Sequence, residues 1–162
     1  MSTEQIISIM DKLNMMHRSL LKLAYHKTEI LKTSNVEELS ETMKNEQSHI
    51  AAISQLEEQR QKLVVQFFQA NQIDYKEPTI NELLKYVTGE EAAQLDTKRK
   101  ELLLTIDTLQ KQNDLNQKML FQSLQFVNLT LDLLRPQPDQ INYQSKAGGR
   151  SAIKTGQFDS QA

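Results

Sequence analysis

Glu46 and His49 form the pair of residues in this chain whose spacing is most suggestive of chemistry. A glutamate three residues before a histidine on a helix is a metal-ligand motif of di-iron four-helix bundles, which need two such pairs and two further carboxylates. The other two histidines, His17 and His26, have no glutamate at that spacing. We therefore expect a solvated or interfacial His49 without a metal, and a metal-dependent enzyme is the least favoured function.

The sequence also gives no support for catalysis by a nucleophile or for nucleotide binding. The chain has no cysteine, which excludes thiol catalysis, disulfides and cysteine-ligated zinc. The stretch GGRSAIKTG lacks the Gly-Lys-Thr of a phosphate-binding loop, because Ile153 precedes Lys154, and no predicted strand leads into it. Arg60 and the cluster 98–100 are interpreted as charges on solvated faces. We expect no enzyme activity and no cofactor.

The composition restricts the class of protein. The chain has 162 residues, 38% of them hydrophobic, with a net charge of −2 and a mean hydropathy of −0.56. A chain this polar forms helices with narrow apolar stripes or is partly disordered, and its charge does not suggest a nucleic-acid partner. No signal-peptide layout begins the chain, and no apolar run reaches the roughly 18 residues of a membrane span. We expect a soluble cytoplasmic protein.

The apolar residues repeat in steps of three and four, and this pattern predicts an all-α fold. We expect an elongated antiparallel three-helix bundle or coiled coil with one short extra helix and a disordered C-terminal tail. Pro78 and Gly89 are the only proline and glycine before residue 135, so they mark the one internal break. The predicted helices span about 3–33, 36–71, 79–87 and 89–135, in a bundle domain 1–135 followed by a flexible tail 136–162.

Each long helix has a predicted inner face. Asn35 and Glu38 are a predicted N-cap and capping-box pair for the second helix. Asn113 and Asn116 either fix the register of the last helix or line a polar pocket, and the register interpretation is favoured. The other inner positions are Ile6, Ile9, Leu13, Met16, Leu20, Leu23 and Ile30, then Leu39, Met43, Ile50, Ile53, Leu56, Leu63, Val64 and Phe67, then Leu95, Leu102, Ile106 and Leu109.

The end of the last helix, LFQSLQFVNLTLDLL at residues 120–134, is apolar on two sides. Nine of its fifteen residues are large and apolar, and Asp132 is its single charge. At 100° per residue, the apolar residues form two stripes on opposite sides, and a bundle needs only the first of them. The first stripe, which we expect to face the other helices of the bundle, is Leu120, Leu124, Val127, Leu131 and Leu134. The second is Phe126, Leu129 and Leu133, extended backwards by Met119.

Helix lengths indicate that the second stripe is a binding surface. At about 1.5 Å per residue, the second helix is roughly 54 Å long and the last roughly 70 Å, so the last helix should outrun its partner near residue 125. An uncovered apolar helix end dimerises or binds a partner. Two alternatives stay open: the short helix at 79–87 covers the second stripe, or the stripe serves only self-association.

These features resemble the FlgN-type flagellar export chaperones. The resemblance is carried by three antiparallel helices, the Asn-x-x-Asn stretch of Asn113 and Asn116 that leads into a Leu-rich helix, the sequence Leu-Arg-Pro at 134–136, and a tail with the isolated Tyr143 and nearby glycines. The architecture matches over most of the chain, and the specific part spans about residues 113–149.

The resemblance implies a cytoplasmic chaperone that binds the C-terminal helices of the hook-associated proteins FlgK and FlgL. Such a chaperone prevents their premature assembly and delivers them to the gate of the flagellar type III export system. The resemblance also implies that Tyr143 contacts the cytoplasmic domain of the gate. The expected client-binding residues are Met119, Phe121, Phe126, Leu129, Leu131, Leu133 and Leu134.

The main alternative function is a homodimeric structural coiled coil or a regulatory adaptor with no export role. In that case the second stripe would serve only to pair two copies of the chain. Neither function requires a cofactor, a nucleic acid or insertion into a membrane.

Overall fold

The computed structural model describes residues 3–135, and within this range the chain is built from helices without a strand. The predicted all-α class is thereby confirmed. The chain divides into two compact units, Met1–Phe126 and Val127–Ala162. The helices are α1, Glu4–Thr33; α2, Val36–Ala70; α3, Ile80–Leu83; and α4, Gly89–Leu134.

The connection between α1 and α2 is set by a short polar sequence. α1 ends at Thr33, and Ser34 takes a left-handed conformation with a φ of 57°. Asn35 then caps α2: its side-chain oxygen accepts from the backbone N–H of Glu38 at 3.2 Å, and its amide donates to the Glu38 carboxylate at 3.3 Å. This is the predicted capping pair, and so short a connection turns α2 back along α1.

The short helix α3 has four residues, whereas nine were predicted from 79 to 87. Thr79 caps it, because its hydroxyl oxygen accepts from the backbone N–H of Glu82 at 3.1 Å. After Leu83 the chain forms a tight turn in which backbone N–H groups bond three residues back. Gly89, with a φ of 73°, then adopts the left-handed conformation that glycine tolerates without strain and begins α4.

The main hydrophobic core lies where α1, the end of α2, α3 and the start of α4 meet. Phe68 is completely buried there, with Tyr75 stacked on it at 4.6 Å between ring centroids and Tyr86 edge-on at 6.0 Å. The loop after α2 therefore folds back over the end of that helix. The buried residues of this core are Ile6, Met10, Leu13, Val64, Phe68, Ile80, Leu83, Val87 and Leu95.

Polar contacts show how α1 and α2 run. The Ser19 hydroxyl and the His49 ring lie 2.8 Å apart, and the Lys27 ammonium lies 3.0 Å from the Glu46 carboxylate. Residue numbers rise along α1 while they fall along α2, so the two helices are antiparallel.

A buried polar network joins α1 to α4. The Asn14 amide donates to the Lys98 carbonyl at 3.1 Å. Farther along, the Asn116 amide donates to the Ala24 carbonyl at 2.8 Å, and its oxygen accepts from the Thr28 hydroxyl at 2.6 Å. In these contacts the residue numbers rise in the same direction along both helices, so α1 and α4 are parallel. A register shift would leave the buried Asn116 amide unsatisfied, which supports the register interpretation of this residue.

Two polar residues differ in burial from the prediction. Arg60 is buried rather than solvated: it pairs with Glu57 at 2.5 Å and donates to the Pro78 carbonyl at 3.1 Å. These partners satisfy the guanidinium while its aliphatic stem packs at the core. Asn113 is exposed, because a side chain three residues before Asn116 points about 60° away from it on a helix.

The inner face of α2 also differs from the prediction. Phe68 is fully buried and Phe67 only partly, and the predicted inner residues Met43 and Ile50 are exposed at 40% and 56%. Residues at seven-residue spacing drift by about 20° per heptad around a straight helix. Residues at seven-residue intervals before Val64 therefore turn progressively away from the buried face towards the start of α2.

Replacing Phe68 with alanine should lower the free energy of unfolding by about 3–5 kcal/mol, because it empties a completely buried site. Phe121→Ala is the matched control: Phe121 is 61% exposed, and its loss should cost less than about 0.5 kcal/mol. Urea denaturation followed by circular dichroism measures both values. Equal losses from the two substitutions would contradict the burial of Phe68 in the core.

Candidate functional site

The candidate site is the C-terminal part of α4, residues 119–134, which we call the terminal apolar segment. In the unit Met1–Phe126, Met119 and Leu120 are partly buried. From Leu124 to Arg135, across the remainder of the described chain, every residue is exposed. A helix end this rich in leucine is normally buried, so its exposure is the most unusual surface feature of residues 3–135.

Six of the seven expected client-binding residues are strongly exposed. Their exposed fractions run from 52% at Leu131 to 78% at Leu133, and the seventh residue, Met119, is partly buried. Monomeric proteins rarely expose contiguous apolar patches beyond a few hundred Å² unless those patches bind something. The terminal apolar segment therefore has the surface chemistry of an interaction site.

The first stripe of the segment was expected to be covered by the other helices, and this expectation is wrong beyond Leu120. α1 continues from its Thr28 contact with Asn116 only to Thr33, whereas α4 continues from Asn116 to Leu134. The covering helix is simply shorter. The residues of the first stripe that are half or more exposed are Leu124, Val127, Leu131 and Leu134.

The apolar residues of the short helix are buried in the core. Ile80 and Leu83 of α3, together with Val87, are buried in the core with Leu95. The apolar surface of that segment is thus used at the start of α4. Leu129 and Leu133 of the second stripe remain exposed at 59% and 78%.

The terminal apolar segment carries little charge. Asp132 is its one charged residue, and its carboxylate lies 3.8 Å from the Arg135 guanidinium, an exposed pair that contributes little to stability. Uncharged Gln, Ser, Asn and Thr residues separate the apolar ones. Binding at this segment must therefore draw on the burial of apolar area rather than on ion pairs.

The pKa shifts found at the surface come from neighbouring ion pairs outside this segment. Hydrogen bonds from Lys100 and Arg99 lower the pKa of Asp96, and a hydrogen bond with Glu82 raises the pKa of Lys85. Both groups are exposed, and stabilisation of the charged form by a partner is an ordinary cause of such shifts. They do not indicate an acid–base site.

Glu46 and His49, the pair with metal-ligand spacing, are engaged in other contacts. The Glu46 carboxylate binds the Lys27 ammonium at 3.0 Å. The His49 Nδ1 donates to the Asn45 carbonyl at 2.8 Å, which leaves Nε2 to accept from the Ser19 hydroxyl at 2.8 Å. Among residues 3–135, no three side chains of His, Cys, Asp or Glu gather as metal ligands would. The contacts of this pair with Lys27 and Ser19 join α2 to α1.

Tyr143, the expected gate-docking residue, and the stretch 148–156 lie outside the described residues. Within residues 3–135, no helix combines the length and the apolar character needed to cross a membrane.

Comparisons with known proteins cover the whole described range. A family model described as "FlgN protein" matches residues 1–151, which include the terminal apolar segment and Tyr143. The chain is also 33% identical over 165 aligned residues to the uncharacterized protein YvyG of Bacillus subtilis (strain 168), and the alignment covers all of both chains. No solved structure matches the chain.

Replacing Leu129 and Leu133 together with glutamine should change the free energy of unfolding by less than about 0.5 kcal/mol, because both side chains already face water. Leu13→Gln, at a position that is 1% exposed, should cost several kcal/mol, on the order of 3 or more. Thermal and urea unfolding measure this contrast. Collapse of the Leu129/Leu133 variant would show that the segment is core.

Proposed function

Because the chain belongs to the FlgN family of flagellar chaperones, we propose that it is an export chaperone for hook-associated proteins. In this proposal it binds the C-terminal helices of FlgK and FlgL in the cytoplasm, prevents their premature assembly and delivers them to the flagellar export gate. The exposed terminal apolar segment of α4 is the observation that supports client binding.

The client-binding step follows from the surface of the segment. An amphipathic client helix can lay its apolar face on an exposed helix and cover side chains that the chaperone itself leaves in water. The residues proposed to make this contact are Met119, Phe121, Phe126, Leu129, Leu131, Leu133 and Leu134. The same contact would shield the client's apolar face, which is what prevention of premature assembly requires.

The strength of such a contact suits a carrier that must later release its cargo. Burial of three or four Leu or Phe side chains contributes roughly 1.5–3 kcal/mol each before the cost of association is subtracted. The surplus is at most about 8 kcal/mol, which corresponds to roughly micromolar binding at the tightest. Because the segment has almost no charge, this affinity should depend little on salt.

The remaining details of the proposal rest on the sequence. We further propose that α1, α2 and α4 form an antiparallel three-helix bundle, and the contacts of α1 with both other helices support this arrangement. We also propose a domain organisation of a bundle domain 1–135 followed by a tail 136–162. Tyr143 is proposed to dock on the cytoplasmic domain of the gate; a single aromatic anchor binds weakly alone and gains from avidity through the held client.

The alternative function, a homodimeric coiled coil without an export role, is favoured by one observation. Phe126, Leu129 and Leu133 of the second stripe follow steps of three and four and are exposed at 70%, 59% and 78%, which is the spacing of a coiled-coil seam.

Replacing Leu129, Leu131 and Leu133 with glutamine should weaken binding of the purified C-terminal segments of FlgK and FlgL by about a hundredfold or more, because three buried contacts are lost. Isothermal titration calorimetry measures the affinity. Met15→Gln with Tyr25→Gln is the control, because both residues are exposed, at 68% and 48%, and lie on α1. Unchanged client binding, combined with loss of a dimer in light scattering, would support the coiled-coil alternative instead.

Tyr143→Ala should leave client affinity in solution unchanged, because the client contact lies on α4. Hand-over should fail, so secretion of hook-associated proteins should fall while their cytoplasmic level is maintained. Secretion assays and calorimetry with the same variant measure both effects. Weaker client binding by this variant would refute the docking role.

A further inference from the structure

A cleft of about 460 Å³ lies beside the main hydrophobic core, where α1, α2, residues 79–81 and α4 meet. All of its lining residues belong to the unit Met1–Phe126. Ligand pockets measure about 300–1,000 Å³ and are lined mainly by apolar side chains with a few polar groups. Seven of the thirteen lining residues are apolar, so the cleft has the size and the composition of a site for a small ligand.

The apolar part of the cleft is shaped by residues of the core. Met10, Leu13 and Ile80 are almost completely buried, and Ile53 and Leu102 pack against the same cluster. None of the lining residues is phenylalanine, tyrosine or tryptophan, so a ligand ring would find no such aromatic face on which to stack. This lining suits an alkyl chain.

Arg60 and Glu57 form a neutral pair at the cleft. The Arg60 guanidinium is buried, and its Nε and Nη2 donate to the two carboxylate oxygens of Glu57 at 2.8 and 2.5 Å. Its Nη1 donates to the Pro78 carbonyl at 3.1 Å. Glu57 is the one acidic residue of the lining, and both of its oxygens are engaged. The pair therefore leaves no unpaired carboxylate there to repel an anion.

Arg99 supplies a second guanidinium that is incompletely neutralised. Its Nε and Nη2 donate to one oxygen of Asp96 at 3.3 and 2.8 Å, and the same carboxylate lies 2.7 Å from the Lys100 ammonium. One carboxylate thus faces two cations. The Nη1 end of Arg99 has no hydrogen-bond partner among residues 3–135. A ligand carboxylate can accept a charge-assisted hydrogen bond from this end.

Uncharged polar groups line the same cleft. The Thr79 oxygen accepts from the Glu82 N–H at 3.1 Å, but the Thr79 hydroxyl proton and the Asn81 side chain have no partner within the described range. The Nδ1 of His17 donates to the Leu13 carbonyl at 2.8 Å, which leaves Nε2 of the neutral ring as an acceptor. Together with Arg99, the available donors outnumber the acceptors. The cleft therefore favours a head group that only accepts hydrogen bonds, as a carboxylate does.

We propose that this cleft binds a small carboxylic acid with an unbranched alkyl chain, of the kind represented by a medium-chain fatty acid. The carboxylate accepts from Arg99 and Asn81, and the chain packs against Met10, Leu13 and Ile80. The volume lies in the lower half of the range for ligand pockets and matches a chain of roughly ten carbons. This inference does not rest on the proposed chaperone function, because the lining includes no residue of the terminal apolar segment.

Methyl NMR of the full chain tests where such a ligand binds. With methionine labelled at its methyl carbon, sodium decanoate below its micelle concentration should shift the Met10 resonance in a saturable manner. Met15, which is 68% exposed on the same helix, should be unaffected. Met119 reports on the terminal apolar segment. A saturable change at Met119 with none at Met10, or no change at either residue, would overturn the inference.

The head group is tested with a second probe on the unmodified chain. Decyltrimethylammonium has a chain of the same length with a cationic head, and it should bind at least about tenfold more weakly than decanoate because it cannot accept a hydrogen bond from Arg99. Equal affinities for the two probes would show that the cleft is merely apolar and would refute the carboxylate site.

An arginine pair provides the matched variants. Arg99→Gln should weaken decanoate binding by about tenfold, the loss of one charge-assisted hydrogen bond, and should not weaken binding of the ammonium probe. Arg18→Gln is the control, because Arg18 pairs with Glu101 at 3.2 Å, is 55% exposed and does not line the cleft. Circular dichroism checks that both variants fold. Equal decanoate affinities for the two folded variants would contradict the role of Arg99, and the comparison of the two probes holds even if Arg99→Gln does not fold.

Discussion

The constraint on which this structure depends is that α4 carries more apolar surface than the other helices cover. The start of α4 is anchored in the core through Leu95, and its middle is tied to α1 through the buried Asn116 amide. Beyond Leu120, each residue of the first stripe is at least half exposed. Burial of apolar surface is the main favourable contribution to the free energy of folding and of association. A helix with exposed leucines on two sides can therefore still gain this free energy by binding a partner.

The remaining structure keeps this helix end available. Extending an existing helix needs no new nucleus, and nucleation is the costly step of helix formation. α4 can therefore carry its last turns as helix although their side chains face water. The polar network around Asn116 and Thr28 fixes which turns of α4 pack on α1, and consequently which turns remain outside. A client would meet a preformed helical surface, which reduces the ordering cost of binding.

The sequence predicted the helices well and their packing less well. Periodicity, Asn35 at the start of α2 and the Pro78–Gly89 break account for the helix positions, because these signals are local. Arg60 was misplaced and Phe68 was missed because their burial depends on the loop that folds over the end of α2, and spacing does not encode that loop. The exposure of Met43, Ile50 and Leu124 could not be read from periodicity either: the same heptad pattern serves an intramolecular seam and a surface for a partner. Resemblance to a family supplied the expected function, and the exposed helix end supplies a physical basis for it.

The most direct test is amide hydrogen exchange across residues 119–135 in the free protein and in the presence of the C-terminal segment of FlgK or FlgL. Helix turns that lack tertiary cover open easily, whereas turns held in an interface are protected. We predict weak protection of these amides in the free monomer and strong protection with the client, while the amides around Phe68 stay protected in both. Full protection of residues 119–135 in the free monomer, or no gain when the client binds, would contradict it.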